Sequence, residues 1–218
     1  MPKVLELPLP YISNSSFGLF QIDPMAWYQQ YFVARVTEES KPMTLGSIFQ
    51  DAWCDPKYDY VTALKQAEFN SDKARAMRNS LQHQQTVRLP KRKTERTIIV
   101  KGHGLKYPIM AKFDGLDTDA TLIVENKWGV VWSQKRVDDG LYYDQDKKQR
   151  HDRQITWYIL AYLIKYGTIP KFLLQSFNGK NGIPNHFYAT RSAYDIDKLV
   201  FDINSMVDRV RAGDFNAR

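Results

Sequence analysis

Three ionisable side chains stand where two neighbouring apolar segments end, and their types could carry out hydrolytic chemistry. The stretch from 108 to 129, PIMAKFDGLDTDATLIVENKWG, holds Asp114 after one apolar run and Glu125 and Lys127 after the next. Carboxylates are hard oxygen ligands for Mg²⁺ or Mn²⁺, and an ammonium can orient a water or offset charge in a transition state. These residue types are therefore compatible with metal-dependent hydrolysis of a phosphodiester.

A β-strand is the element that would position Glu125 and Lys127. The preceding residues, TLIV, are β-branched or apolar and predict a buried strand. Because side chains alternate along a strand, positions 125 and 127 share one face. The alternative is an exposed Glu–Lys pair beside an Asp-Gly turn, and the same tripeptide pattern recurs at Glu39-Ser40-Lys41 between polar neighbours. The spacing alone leaves both interpretations open.

The patterns before residue 86 predict helices after an N-terminal coil. Ser13 or Ser15 is the expected cap of the first helix, and Asp23-Pro24 predicts a turn between two short helices. The run TLGSIFQDAWC predicts another helix with Thr44 as its cap, and a longer helical stretch is interrupted near residues 70–71.

The patterns after residue 86 predict a sheet flanked by helices. Strands are expected in TVRLP, RTIIVKG, YPIMAKFDGLD and ATLIVENKW, followed by a helix in RQITWYILAYLIKYG. Asn181-Gly182 predicts a hairpin, and a last amphipathic helix runs from its cap at Ser192 to Gly213. We therefore expect one α/β domain over 1–218, with a mostly helical lead-in over 1–85 and a core over 86–218.

Composition narrows the class of protein. The 218 residues are 43% hydrophobic and 25% charged, which is typical of a soluble globular protein. No apolar run approaches the roughly 20 residues of a membrane span, and the N-terminus lacks the features of a signal peptide, so the cytoplasm is the expected location. The single cysteine, Cys54, cannot form an internal disulfide, a zinc site or an iron–sulfur cluster.

The net charge of +7 is concentrated in two basic runs, at 88–112 and 147–153. Such runs form either a solvated surface or a phosphate-binding face. Both lead along the chain towards the candidate residues, which favours a groove that follows DNA. Trp128 and Trp132 lie beside the candidate residues and could stack on bases, with core packing as the alternative.

The segment FDGLD…TLIVENKW resembles the D-(x)n-E-x-K core of the PD-(D/E)XK nuclease superfamily, and the rest of the chain resembles its RecB-like exonuclease branch. In that branch a helix with Gln-x-x-x-Tyr follows the core, and RQITWYILAY supplies Gln154 and Tyr158. The opening YISNSSFGLFQIDPMAWYQQYF and the closing VDRVRAGDFNAR are similar to the branch's terminal segments. The resemblance covers nearly the whole chain. It implies a restriction-endonuclease-like α/β/α core with a central mixed sheet and an N-terminal helical elaboration.

Two positions depart from the branch's pattern. A helix before the core commonly carries Gly-x-x-x-His, whereas LGSIFQDAW has Gly46 and Gln50. A glutamine binds metal through its carbonyl oxygen or a water, and is a weaker ligand than histidine. Asp23-Pro24 stands in place of the Cys-Pro of members with an iron–sulfur cluster, so no such cluster is expected.

The resemblance implies a Mg²⁺- or Mn²⁺-dependent deoxyribonuclease. It assigns Asp114, Glu125 and the backbone carbonyl of Asn126 to the metal, with Gln50 as a further, outer ligand. Lys127 is expected to assist the attacking water.

The resemblance further implies that Gln154 and Tyr158 position the DNA strand and the site. It indicates an exonuclease for recombination, repair or end processing, acting on single strands or duplex ends, and a phage origin. A structure- or sequence-specific endonuclease of the same fold and a non-catalytic DNA-binding subunit are the alternatives. A homo-oligomer or a partner recombination protein is compatible with the sequence, which requires neither.

Overall fold

The computed structural model describes residues 5–34, 41–86, 93–129 and 153–216. The strands are β1 (Ile12–Ser13), β2 (Lys93–Val100), β3 (Ile109–Asp117), β4 (Leu122–Trp128), β5 (Lys171–Phe177) and β6 (Pro184–Ala189). The helices are α1 (Asn14–Ile22), α2 (Pro24–Tyr28), α3 (Lys41–Cys54), α4 (Tyr60–Gln66), α5 (Ser71–Thr86), α6 (Gln154–Tyr166) and α7 (Ala193–Ala212), with a π-helical turn at Gln29–Ala34.

Local sequence signals set several helix ends. The Ser13 hydroxyl accepts the Ser16 N–H and caps α1, and Asp23 caps α2 ahead of Pro24. Ser192 opens α7 with a capping box, and Gly213 ends it in the left-handed conformation at φ 70°. The predicted start of α3 was wrong, because the helix begins at Lys41 rather than after a cap at Thr44.

The sheet is mixed and forked. Its order is β1-β3-β4-β5-β6. Strand β2 pairs with one edge of β3 and runs antiparallel to it, from Lys93↔Leu116 to Val100↔Ile109. On the edge opposite β2, the strand β3 is shared between two partners. β1 pairs with residues 109–110 and β4 with residues 115–117, so the described ladders leave 111–114 as a gap between them. β4 continues beyond that junction along β5, in parallel, up to Trp128↔Phe177.

Helices cover both faces of the sheet, which confirms the expected α/β/α arrangement. On one face, Phe113 and Phe172 belong to a core cluster shared with α1, α2, α6 and α7. On the other, Trp128 and Phe177 pack against Phe49 of α3, within a smaller cluster shared with α4 and α5. Trp128 is therefore a core residue here, whereas Trp132 lies outside the described residues.

Candidate active site at the fork of the sheet

The fork brings Asp114 next to the strand that carries Glu125. The antiparallel ladder between β3 and β4 ends at Gly115↔Val124, and one further step of that register would set Asp114 opposite Glu125. At this point the Asp114 side chain contacts β4 directly, because its Oδ2 accepts the Asn126 backbone N–H at 2.8 Å. The carboxylate thus lies against the peptide that joins Glu125 to Asn126.

Glu125 and Lys127 form an ion pair on the face of β4 that is turned towards α6. Glu125 is only 3% exposed, and its Oε1 accepts from Lys127 Nζ at 2.6 Å. The same oxygen accepts from Gln154 Nε2 at 2.8 Å. A buried carboxylate is costly unless it is paired and hydrogen-bonded, and these two donors to Oε1 offset part of that cost.

Gln154 and Tyr158 occupy adjacent turns at the start of α6. The Gln154 amide donates to Glu125 and also to the Tyr158 hydroxyl, at 2.9 Å. The Tyr158 ring packs between Phe113 and Phe172, with ring centroids 5.4 Å and 6.3 Å away. Because the tyrosine is fixed in the core, its hydroxyl holds the Gln154 amide in line with Glu125. The structure therefore brings together five residues that the sequence singled out, Asp114, Glu125, Lys127, Gln154 and Tyr158.

Sequence reasoning missed two contacts that hold α6 against the sheet and the segment after β6. The Trp157 indole N–H donates to the Met110 carbonyl at 2.9 Å, next to the gap in β3. The buried Arg191, just after β6, donates from Nε to Thr156 Oγ1 at 2.9 Å. An indole within an apolar helix was the available signal for the first contact, since a buried Trp N–H requires an acceptor. No local signal pointed to the second contact.

Gln50 is placed by α3, which packs on the Trp128 face of the sheet through Phe49. The hydrogen bond that the structure gives to Gln50 runs from Nε2 to Cys54 Sγ, at 3.3 Å along the same helix. That bond lies within α3 and does not connect Gln50 to the fork residues. Its role as an outer metal ligand stays a prediction.

The basic runs are only partly described, since 88–92 and 147–152 lie outside the described residues. Two of their described members pair with carboxylates of α7: Lys106 with Asp208 at 2.5 Å, and Arg153 with Asp202. Burial lowers the pKa of the Arg153 guanidinium, and the pairing with Asp202 offsets the cost of that burial. These two cations are therefore engaged with the protein itself.

The donor set at the fork fits a hard divalent cation. Among the described residues, no three His, Cys, Asp or Glu side chains cluster as a metal-binding group. Mg²⁺, however, is commonly held by one or two carboxylates and keeps several waters. Glu125 and Asp114, which accepts the N–H of the peptide between Glu125 and Asn126, supply two carboxylates of that kind. The ligand assignments stay predictions.

Comparison with known proteins gives a fold and no family. No family model matches the chain, and no curated protein matches it. A solved structure named "Putative exonuclease", from Eubacterium rectale, aligns with a TM-score of 0.65 at 14% identity, over 95% of this chain and 83% of that one. A second solved structure, SSO0001, aligns over 100% of this chain and 82% of the other, but with a TM-score of 0.42 at 11% identity. The first likeness supports the fold alone.

The described helices differ from membrane-spanning helices in length and apolar character. None of them is long and apolar enough to cross a membrane.

Proposed function

We propose that this protein is a metal-dependent deoxyribonuclease that hydrolyses phosphodiester bonds, and that it acts as an exonuclease. One observation carries the proposal: a buried Glu125 is shared by Lys127 and Gln154 at the point where Asp114 reaches across the fork. The burial of Glu125 and its hydrogen bond from Gln154 of α6 distinguish this pair from a solvated Glu–Lys pair. The Eubacterium rectale neighbour is named "Putative exonuclease", which favours the same chemistry and the exonucleolytic mode.

In the proposed mechanism, a water attacks phosphorus, the ester bond to one sugar oxygen breaks, and no covalent enzyme intermediate forms. Asp114, Glu125 and the Asn126 backbone carbonyl would hold Mg²⁺ or Mn²⁺, which when bound lowers the pKa of a water and neutralises phosphate charge. Lys127 orients the water and offsets negative charge in the transition state. Its partial exposure, 28% of the side chain, leaves it accessible to a substrate while it pairs with Glu125.

Gln154 and Tyr158 act as positioning residues in this proposal. Gln154 fixes the Glu125 carboxylate, and Tyr158 fixes Gln154. The proposed substrate is DNA, as single strands or duplex ends, in recombination, repair or end processing. Because an exposed basic groove would bind the strand chiefly through phosphates, affinity should fall as salt rises.

A digest of linear, nicked and closed circular DNA with Mg²⁺ or Mn²⁺ tests the proposal. Loss of linear DNA only, abolished by Lys127→Ala, is the expected result. Cutting of closed circles would instead indicate an endonuclease of the same fold. If no DNA is cut and Lys127→Ala leaves DNA affinity unchanged, the catalytic proposal is wrong. A non-catalytic DNA-binding subunit is then the better interpretation. The hydrogen bond from Gln50 to Cys54 favours it, because it holds the amide of a proposed metal ligand within its own helix.

The metal assignment has its own test. Asp114→Asn keeps the size of the side chain and removes its charge, so we expect calorimetry to show loss of Mn²⁺ binding. Asp119→Asn is a suitable control, because Asp119 is exposed in the turn after β3. Retained Mn²⁺ affinity in the Asp114 variant would rule out Asp114 as a ligand.

A further inference from the structure

The side chain between Glu125 and Lys127 points to the opposite face of β4, and that face is otherwise apolar. Asn126 is 7% exposed, and its neighbours on the same face, Val124 and Trp128, are also buried. Within the described residues, neither the Nδ2 nor the Oδ1 atom of Asn126 has a hydrogen-bond partner. A buried amide without a partner lowers the free energy of unfolding unless a water or another polar group binds it.

Asn126 begins a polar row that crosses three strands. Parallel pairing sets it beside Gln175 of β5, and antiparallel pairing sets Gln175 beside His186 of β6. Gln175 is only 2% exposed, and its Nε2 lies 3.2 Å from His186 Nε2. Register partners share a face of a sheet, so the row places polar groups next to the unsatisfied amide.

A buried water is the ligand that such a place accommodates. Buried polar groups that lack protein partners generally bind an internal water, which needs two to four polar contacts. Asn126 offers one donor group and one acceptor, and the Gln175 amide is its neighbour in the row.

We propose that Asn126 is a positioning residue for the fork site, and that its side chain binds an internal water together with Gln175. This contact anchors the backbone of residues 125–127 from the face of β4 opposite Glu125 and Lys127. It keeps the Asn126 N–H on Asp114 and keeps Glu125 and Lys127 turned towards Gln154. The consequence for catalysis rests on the proposed function, whereas the anchoring of the strand does not.

Asn126→Leu tests the inference, because leucine is close in size and removes both polar atoms. We expect a melting temperature equal to or above that of the wild type. Hydrogen exchange of the backbone amide at position 126, followed by NMR, should be at least about tenfold faster. DNA hydrolysis should show kcat reduced at least about tenfold with little change in KM, as for a residue that acts on the transition state. Asn185→Leu, at an exposed position of β6, is the control and should change none of these.

Gln175→Leu provides a second, independent variant and should likewise accelerate exchange at position 126. Unchanged exchange in both variants would overturn the inference. A lowered melting temperature with faster exchange throughout the sheet would also overturn it, since that pattern marks a purely structural role. If the wild type cuts no DNA, the proposed function fails, and exchange at position 126 still decides whether Asn126 anchors the strand.

Discussion

Replacing Lys127 by methionine tests whether the ammonium is what allows Glu125 to be buried. Methionine keeps most of the length of the lysine stem and removes the charge. Breaking a fully buried ion pair costs about 3–5 kcal/mol, because one charge is left in the interior. Here Lys127 is partly exposed and Gln154 still donates to Glu125, so we expect a smaller loss of about 2 kcal/mol in the free energy of unfolding at pH 7.

For a chain of 218 residues, that loss corresponds to a fall in melting temperature of about 4–8 °C. The measurement is urea or thermal unfolding followed by circular dichroism. The double variant Lys127→Met, Glu125→Gln should be more stable than Lys127→Met alone, because the glutamine leaves no buried charge and can still accept from Gln154. A coupling of at least about 1 kcal/mol is expected from the double-mutant cycle.

Two results would refute this reasoning. If Lys127→Met unfolds at the wild-type temperature, the ion pair is not what stabilises the buried carboxylate. If the two substitutions are additive in unfolding free energy, Glu125 and Lys127 do not act as a pair. Either result would also weaken the proposed site, which depends on the two residues being held together.

Two further predictions concern the stability of the fold, at the β5–β6 hairpin and at the start of α7. Gly182→Ala should lower the unfolding free energy by more than the roughly 1 kcal/mol of a positive φ alone, because its Cβ would lie 2.2 Å from the Ala76 carbonyl oxygen. Gly167→Ala is the control, since Gly167 has φ 77° and open space around it. Equal melting temperatures of the two variants would contradict the steric reason. Ser192→Ala should cost about 1 kcal/mol at pH 7. The Ser192 hydroxyl and N–H donate to the Asp195 carboxylate and lower its pKa. The stability that comes from these bonds to the charged carboxylate is fully present above the ordinary carboxylate pKa of about 3.9, and it is lost as pH falls through the lowered pKa. Acid unfolding should therefore show a smaller difference between the wild type and Ser192→Ala at low pH, because the hydroxyl loses its bond to the charged carboxylate and keeps its bond from the Asp195 N–H. A constant difference at every pH would contradict this reasoning.

Local signals in the sequence were sufficient for elements whose structure depends on neighbouring residues. Ser192 caps a helix as predicted, and Ser13 is the one of its two candidates that caps α1. Asp23-Pro24 separates two short helices, and the hairpin at Asn181-Gly182 joins β5 to β6. The shared face of Glu125 and Lys127 follows from strand alternation, and the contact of Gln154 with Tyr158 follows from helical spacing. Each of these depends on residues at most a few positions apart.

Contacts between distant segments needed the tertiary structure. The predicted N-terminal coil contains β1, which shares one edge of β3 with β4 and so creates the fork. The fork lets the Asp114 carboxylate reach the Asn126 N–H, and it lets Trp157 reach Met110. The polar row behind Asn126 was equally hidden, because it joins residues of three strands. Sequence alone thus determined which residues could do chemistry and which face they share. Which of them meet was decided by strand pairing across long stretches of chain, because such pairing depends on packing between elements and leaves no local pattern.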